Sequence, residues 1–218
     1  MRVIFFMKKK TAILVDAEWF RKMLRHAMPV PASTPAASPA VASPPPSITA
    51  GFFYRNACAA LDPQEEELFR LFCYDCEPFD KPQRNPLDQS WVRFGSTHPM
   101  YQERIRFFQE LAALPYVALR RGIVKGRGWE IKEAVTTRLL ATPHGAVTLS
   151  AGDIRFGMEQ KGVDMRIGMD FATLSLKRLV ERIILISGDT DMLPAIKLAR
   201  REGIQVCVVQ VGTQGRLA

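Results

Sequence analysis

Histidine and cysteine are scarce in this chain, and their scarcity removes several kinds of chemistry. Three histidines and four cysteines occur among 218 residues, so neither a Cys–His nucleophile pair nor a dense disulfide framework is indicated. Cys73 and Cys76 form a lone CxxC, and no second CxxC or HxxxH completes the four ligands of a structural zinc site. We interpret the histidines and this cysteine pair as surface or structural residues.

Long apolar runs and glycine-rich nucleotide motifs are also missing. No stretch of about 18 apolar residues suggests a membrane span, and no GxGxxG or GxxxxGK[ST] motif suggests a nucleotide cofactor. The start, "MRVIFFMKKK", places its short apolar run before its positive charges, which is the reverse of a secretory leader. We therefore expect a cytoplasmic protein with free thiols and no membrane association.

Positive charge, by contrast, is in excess. Lys plus Arg number 30 against 22 for Asp plus Glu, a formal net charge of +8. This balance favours nucleic acid or another polyanion as a partner, although a basic surface kept for solubility gives the same count. The segment "LRRGIVKGRG" combines flexible glycines with the cations Arg120, Arg121, Lys125 and Arg127. It suits a phosphate backbone, and it equally suits a solvated basic loop.

A proline-rich segment interrupts the first third of the chain. Residues 29–50 hold seven of the 15 prolines and almost no charge, so they form neither a helix nor a central strand. We interpret them as a flexible insertion, serving as a tolerated surface loop or as a lid or docking arm. The predicted organisation is an N-terminal extension over residues 1–10 and a single domain over residues 11–218 that contains this insertion.

Apolar strands alternate with amphipathic helices along the rest of the chain. The predicted strands are 11–16, 68–75, 116–122, 182–187 and 204–211, and the predicted helices are 17–27, 52–61, 99–115, 161–179 and 193–202. Residues 123–152 are ambiguous, and residues 153–160 alternate only mildly. Strands that alternate with helices predict an α/β fold with a mostly parallel sheet and right-handed crossovers, which place helices on both faces.

Acidic residues follow the ends of two predicted strands. Asp16 closes the first strand, and Asp189 and Asp191 follow the strand that ends at Ser187. Functional groups of parallel α/β sheets collect beyond the carboxyl ends of the strands, so these carboxylates converge if the two strands are neighbours. A divalent cation would relieve their repulsion, and hard oxygen ligands suit Mg²⁺ or Mn²⁺.

A predicted helix supplies two more acids. Asp164 lies in its first turn and can reach the same edge, whereas Asp170 lies about 9 Å further along the axis and is expected to support a ligand or to be a buried partner. Ser187 is expected to stand beside the ligands. A Gly-Asp-x-Asp turn is also good capping chemistry. The combination favours a metal site, with the predicted catalytic and ligand residues Asp16, Asp164, Asp189 and Asp191.

Five segments of the chain together resemble a known nuclease family. They are "ILVDAEWF", "LFCYDCEPF", "LRRG", "KGVDMRIGMD" and "ILISGDTDMLPAIKLARREGIQVCVV", and they are similar to the NYN domain, in the LabA-like group of the PIN-like nuclease superfamily. The resemblance implies a Rossmann-like (PIN-like) fold, a divalent-metal site and endonucleolytic cleavage of RNA. It also implies that Asp16 and Asp164 bind metal, that Asp189 and Asp191 complete the acidic cluster, and that Asp170 matches another acid of the pattern.

Two features depart from that pattern. The family usually has Asn three residues after the first Asp, where this chain has Trp19; the Asn would help to orient a ligand or substrate, and the neighbouring Glu18 is a weak substitute. The chain also stops at Ala218, soon after the last predicted strand, where relatives tend to continue. This ending predicts a sheet edge that is open or is covered by a second subunit in a homodimer.

Metal-dependent hydrolysis of RNA phosphodiester bonds is the function that these features predict. One or two Mg²⁺ or Mn²⁺ ions would activate a bound water and neutralise charge on the reacting phosphate. The expected partner is RNA, single-stranded in one reading, and its contacts are predicted at Arg120, Arg121, Lys125, Arg127 and Lys161. One alternative is an RNA- or protein-binding module without catalysis, which Trp19 and the chain end motivate. A phosphatase-like enzyme is disfavoured because Glu18 stands where its second Asp is needed.

Overall fold

Strands and helices alternate along the computed structural model, which describes residues 7–28, 47–141 and 148–209. In chain order the elements are β1 (Lys9–Asp16), α1 (Ala17–Ala27), α2 (Ala50–Cys58), β2 (Glu66–Cys76), β3 (Gln83–Arg84), β4 (Trp91–Val92), α3 (Pro99–Ala112), β5 (Val117–Ile131), α4 (Glu133–Leu140), β6 (Ile154–Lys161), α5 (Val163–Leu176), β7 (Arg182–Ile186), α6 (Leu193–Arg201) and β8 (Gln205–Val209). None of the helices within these ranges is long and apolar enough to cross a membrane.

Internal contacts divide the chain into two units. Of the described residues, the first comprises 7–28, 47–75, 107–120 and 163–209, and the second comprises 76–106, 121–141 and 148–162. Strand β5 and helix α3 contribute residues to both units. The single domain over residues 11–218 stays a prediction.

A mostly parallel sheet forms the centre of the first unit, in the strand order β5-β2-β1-β7-β8. Strand β1 runs parallel to both neighbours, so that Val15 faces Cys73 on one side and Ile186 on the other. Residues 12–15 are fully buried and residues 183–186 are at most 2% exposed, which explains why both strands read as continuous apolar runs. The predicted α/β class is confirmed.

Helices cover both faces of this sheet. The connections from β1 to β2 and from β7 to β8 move along the sheet in opposite directions, so right-handed crossovers place α1 and α2 on one face and α6 on the other. Aromatic rings join the helices of the first face. Phe20 meets Phe53 at 5.1 Å, and Phe53 meets Phe107 of α3 at 5.3 Å between centroids. Helix α5 packs against α6 on the second face.

The second unit is built on an antiparallel pair that the sequence does not reveal. Strand β5 continues to Ile131, far beyond the predicted end at residue 122, and pairs with β6. The glycines that suggested a loop lie at an irregularity of the pairing between Gly126 and Gly128, where Gly128 has a φ of 95°. Helix α4 accounts for part of the ambiguous stretch, and the mild alternation at residues 153–160 is β6.

The structure places the beginnings of two elements inside segments that were predicted to lie outside the fold. The proline-rich insertion ends before residue 50, because Thr49 caps α2 by accepting a hydrogen bond from the Phe52 amide at 3.3 Å and Ala50 begins the helix. Ile48 is also buried, and residues 29–46 lie outside the described ranges. The N-terminal extension ends before residue 10, because Lys9 already pairs with Glu66 in the sheet.

A buried ion pair joins α1 to β2. Arg21 donates from Nη1 to Oδ2 of Asp75 at 2.6 Å, both side chains are almost fully buried, and the guanidinium lies 5.1 Å from the centre of the Phe107 ring. The spacing of the apolar residues in α1 leaves Arg21 on the opposite, solvent-facing side of the helix, yet the structure buries its side chain. The acid at the end of β2 and the ring offset part of the cost of taking the cation out of water, and Nη2 of Arg21 has no hydrogen-bond partner among the described residues.

We expect Arg21→Met to lower the free energy of unfolding by about 3 kcal/mol, because Asp75 loses its buried ion-pair partner. Urea denaturation measures the change. Lys22→Met is the matched control, since Lys22 is exposed on the same helix, and its effect should stay within about 0.5 kcal/mol. Equal effects for the two variants would show that the buried pair is not a structural requirement.

Candidate metal centre

The carboxyl ends of β1, β2 and β7 meet at one edge of the first unit's sheet. Asp16 stands opposite Tyr74 in the β1–β2 register, and Ser187 follows Ile186, the partner of Val15 in the β1–β7 register. Adjacent strands lie about 4.8 Å apart, and residues in register point to the same face. The condition set by the sequence, that the strands before Asp16 and Asp189 are neighbours, is therefore met.

Backbone hydrogen bonds shape the acidic turn after β7. The amide of Asp189 donates to Oγ of Ser187 at 3.1 Å, and the amide of Asp191 donates to Oδ1 of Asp189 at 2.8 Å. Asp189 thus caps the single 3₁₀ turn Thr190–Met192 that precedes α6. Its second carboxylate oxygen makes no hydrogen bond with the described residues. The Ser187 hydroxyl therefore stabilises the turn. Asp189 has the capping role that the sequence also suggested.

Asp164 faces the charges of this turn from the first turn of α5. Loss of solvent raises the pKa of its carboxyl, and the negative charges of Asp189 and Asp191 raise it further. No hydrogen bond or ion pair joins the Asp164 side chain to another described residue. Two elements thus bring three carboxylates close enough to repel one another, without a cation among the described residues to offset the repulsion.

Asp16 belongs to a different electrostatic neighbourhood. Its Oδ1 accepts a hydrogen bond from the Trp19 amide at 3.2 Å and caps α1. Burial raises the pKa of Asp16, the charges of Glu18 and Asp75 raise it further, and the hydrogen bonds from the backbone of Trp19 and Glu18 oppose these effects. The charges that act on Asp16 are therefore not those that act on Asp164.

The four predicted ligands do not form a ready-made metal site. Among residues 7–28, 47–141 and 148–209, no three His, Cys, Asp or Glu side chains are arranged to hold one ion. The oxygen donors are of the kind that Mg²⁺ and Mn²⁺ prefer. The donor chemistry therefore fits such an ion, whereas the side-chain positions would have to converge around it.

Trp19 contacts both acidic neighbourhoods. Its amide binds Asp16, and its indole lies on Gly188, the residue between Ser187 and Asp189. A methyl group on Gly188 would lie 2.6 Å from Cε2 of the indole and would overlap Nε1. The large residue that the sequence pattern marks as a departure is thus packed against the acidic turn, and only glycine fits beneath it.

Comparison with known protein families identifies the family of this chain. Residues 106–217 match the family model of the NYN domain, about half of the chain. The chain belongs to the NYN domain family. NYN domains are PIN-like and are generally predicted ribonucleases, so membership indicates a nuclease-like, RNA-related function. The matched residues include Asp164, Asp189 and Asp191 but not Asp16, and the LabA-like group stays a prediction.

Other comparisons add little to the NYN assignment. No curated protein matches the chain. A solved structure, a protein of unknown function from Vibrio parahaemolyticus RIMD 2210633, is 17% identical over 94% of this chain and 83% of that chain, with a TM-score of 0.44.

Asp170 of this NYN domain is a partner in a polar network of the first unit. It accepts hydrogen bonds from the Tyr74 hydroxyl at 2.8 Å and from Nε of Arg120 at 2.8 Å. The guanidinium of Arg120 also lies 5.0 Å from the centre of the Phe72 ring. Burial raises the pKa of Tyr74 well above its ordinary value, and the charge of Asp170 adds to this effect, so the hydroxyl stays a donor. Sequence reasoning expected a supporting role for Asp170 but did not find Tyr74.

Most of the predicted RNA-binding cations are already paired with acids. Arg120 pairs with Asp170, as described above. The other pairs, all in the second unit, are Arg121 with Glu77 at 2.9 Å, Arg127 with Glu159 at 3.9 Å and Lys161 with Glu159 at 2.5 Å. Within the described ranges, Lys125 alone of the five predicted residues makes no ion pair.

We expect Gly188→Ala to destabilise the protein by about 1–3 kcal/mol, because the new methyl group displaces the Trp19 indole. Chemical denaturation and tryptophan fluorescence measure the effect. Gly168→Ala is the control, since nothing lies within 4 Å of a methyl group on Gly168 of α5, and alanine should stabilise the helix by about 0.5–1 kcal/mol.

A double-mutant cycle identifies the cause. In a Trp19→Ala background Gly188→Ala should cost almost nothing, since the clashing ring is gone. An undiminished cost in that background would show that the glycine is required for another reason.

We expect Asp164→Asn to raise the unfolding temperature at pH 7 in EDTA, because it removes the repulsion from Asp189 and Asp191. The expected rise is only about 1 °C, since solvent screens the charge of this exposed side chain. The folded-state pKa is raised, so this carboxyl contributes stability below its unfolded pKa, and the contribution is lost as the pH rises through the folded pKa. The gain should therefore vanish near pH 3, where both states are protonated.

Asp88→Asn is the control of opposite sign. The Ser90 hydroxyl and amide bind Asp88 and lower its pKa, so this substitution should not stabilise the protein at pH 7. A gain from Asp164→Asn that persists at pH 3 would contradict the repulsion described here.

Proposed function

We propose that this NYN domain is a divalent-metal-dependent endoribonuclease that acts at the carboxyl edge of the first unit's sheet. The observation that carries the proposal is the crowding of Asp164 with Asp189 and Asp191, whose charges no described cation offsets. Carboxylates kept together against their mutual repulsion are expected where a cation is to be bound. Membership of the NYN family supports RNA as the substrate class of this proposal.

The acids of the proposed site would bind the metal ion, and the neighbouring helix would favour binding of the phosphate. Asp164 and Asp189 repel one another and each keeps a carboxylate oxygen without a hydrogen bond among the described residues, so they would hold the ion, with Asp191 beside them and Asp16 completing the set from β1. Mg²⁺ or Mn²⁺, when bound, supplies an activated water and neutralises charge on the phosphate. The N-terminus of α5 adds positive potential where the phosphate is to lie.

Ser187 and Trp19 would position this site without contacting the reacting atoms. The Oγ atom of Ser187 accepts a hydrogen bond from the amide of Asp189, which fixes where the turn leaves the sheet. The indole of Trp19 packs on Gly188 of the same turn and restricts its position. Both residues restrict the acids that must converge around an ion.

A binding module without catalysis is the second candidate. Two observations favour it: the acids are not arranged to hold one ion, and Trp19 fills the space over Gly188. Such a module would use the fold to bind RNA or protein, with the acids as remnants of a site. The two candidates differ in one respect that an assay can measure, the cleavage of bound RNA.

The test is cleavage of end-labelled single-stranded and structured RNA by purified protein in Mn²⁺, Mg²⁺ or EDTA. We expect cleavage with either metal, none in EDTA, and a loss of at least about 100-fold in Asp164→Asn and Asp189→Asn, since the metal stabilises the transition state by several kcal/mol. Glu67→Gln is the matched control, because Glu67 is an exposed acid of β2 without an ion pair among the described residues.

Each outcome selects one reading. Cleavage in EDTA by the substituted proteins would identify a contaminating nuclease and overturn the proposal. RNA binding without cleavage in any metal would establish the binding module instead.

A further inference from the structure

A groove of about 780 Å³ opens in the second unit, formed only by residues of that unit. Its walls include the rings of Phe79, Tyr101 and Phe156, and the backbone of β5 around Gly126 forms one side. The volume lies within the range of about 300–1,000 Å³ that is typical of small-molecule sites. None of the residues predicted as metal ligands lines it.

Four aromatic rings of the second unit form one cluster, and two of them, Phe79 and Phe156, line the groove. Phe79, Phe94 and Phe156 contact one another with centroids 5.5–5.7 Å apart, and Trp129 meets Phe156 at 5.7 Å. All four side chains keep part of their surface in water. Partly exposed rings in mutual contact offer flat apolar area of the kind on which bases stack.

Gly126 keeps the aromatic wall close to the strand. A methyl group at this position would lie 2.5 Å from Cζ of Phe156 and 3.5 Å from Cζ of Phe79. A side chain here would push the Phe156 ring away from β5. The glycine, which the sequence suggested as a loop residue, is therefore what lets the ring lie on the backbone.

Two lysines and two acids line the groove. Lys81 and Lys125 line it, and neither is within ion-pairing distance of a carboxylate in the part of the chain that the structure describes. Of the two acids, Glu77 is paired with Arg121 at 2.9 Å, which leaves Asp80. Glu159 lies opposite Lys125 in the β5–β6 register but is already paired with Lys161, so the ammonium group of Lys125 can bind an anionic ligand.

We propose that this groove binds a nucleotide, with its base stacked on Phe79 and Phe156 and its phosphate bound by Lys125. The same chemistry fits a free nucleotide and one residue of a single-stranded RNA. The site uses neither the acids of the first unit nor a metal ion, so it goes beyond the proposed function and does not depend on it.

The experiment is an ¹H–¹⁵N NMR titration of the full chain in EDTA with 5′-AMP, and separately with a short single-stranded oligoribonucleotide. We expect shift changes at residues 123–128 and 156. Lys125→Gln should weaken binding about tenfold, the loss expected for one charge-assisted hydrogen bond. Phe79→Leu should weaken it at least about fivefold through lost stacking.

Matched controls separate this site from general attraction to a basic protein. Lys177→Gln removes one exposed charge from the first unit and should leave both affinities unchanged. Lys125 is exposed, so its variant should keep the unfolding temperature of the parent. Phe79→Leu is interpreted only with an unchanged far-UV circular dichroism spectrum, and Lys125→Gln keeps the test decisive where that variant misfolds.

The two ligands distinguish the source of the nucleotide. Shifts with 5′-AMP support a pocket for a free nucleotide, and shifts with the oligoribonucleotide alone support a subsite for RNA. No shifts at these residues with either ligand, or affinities that Lys125→Gln leaves unchanged, would overturn the proposal.

Discussion

The parallel pairing of β1 with β7 is the constraint on which the candidate site depends. It places Asp16 next to Ser187, and therefore next to the turn that carries Asp189 and Asp191. Both strands are buried on both faces, so a shift of register by one residue would move every one of their side chains to the opposite face. A well-packed apolar core thus fixes the position of polar groups that lie just beyond its edge.

Gathering carboxylates at that edge works against stability. Asp164 is crowded by two other acids, and Asp16 is partly desolvated between Glu18 and Asp75. The surrounding residues offset some of this cost, since helix and turn amides bind Asp16 and Asp189 and Arg21 neutralises Asp75. Trp19 ties the two neighbourhoods together through Gly188. The protein keeps these charges close because its core and its buried ion pair stabilise the scaffold beneath them.

The sequence predicts what depends on local pattern and misses what depends on contact. The apolar runs before Asp16 and Ser187 predict the sheet and its acidic edge, because short continuous apolar runs are typical of buried parallel strands. Arg21 looks like a solvent-facing cation, since its partner Asp75 lies 54 residues away. The long β5–β6 pair is hidden by glycines that also fit a loop, and the acids that pair with the predicted RNA-binding cations include distant residues. Contacts between residues far apart in the chain produce no periodic pattern in the sequence, and neither does the packing of the Trp19 indole on Gly188.

Anomalous X-ray diffraction from crystals grown with Mn²⁺ tests the central claim most directly. The account predicts a single strong anomalous peak between the carboxylates of Asp164 and Asp189, with Asp191 or Asp16 drawn toward it, and no peak at that position in Asp164→Asn. A fully loaded crystal with no peak there, or with Mn²⁺ bound only elsewhere on the chain, would contradict it.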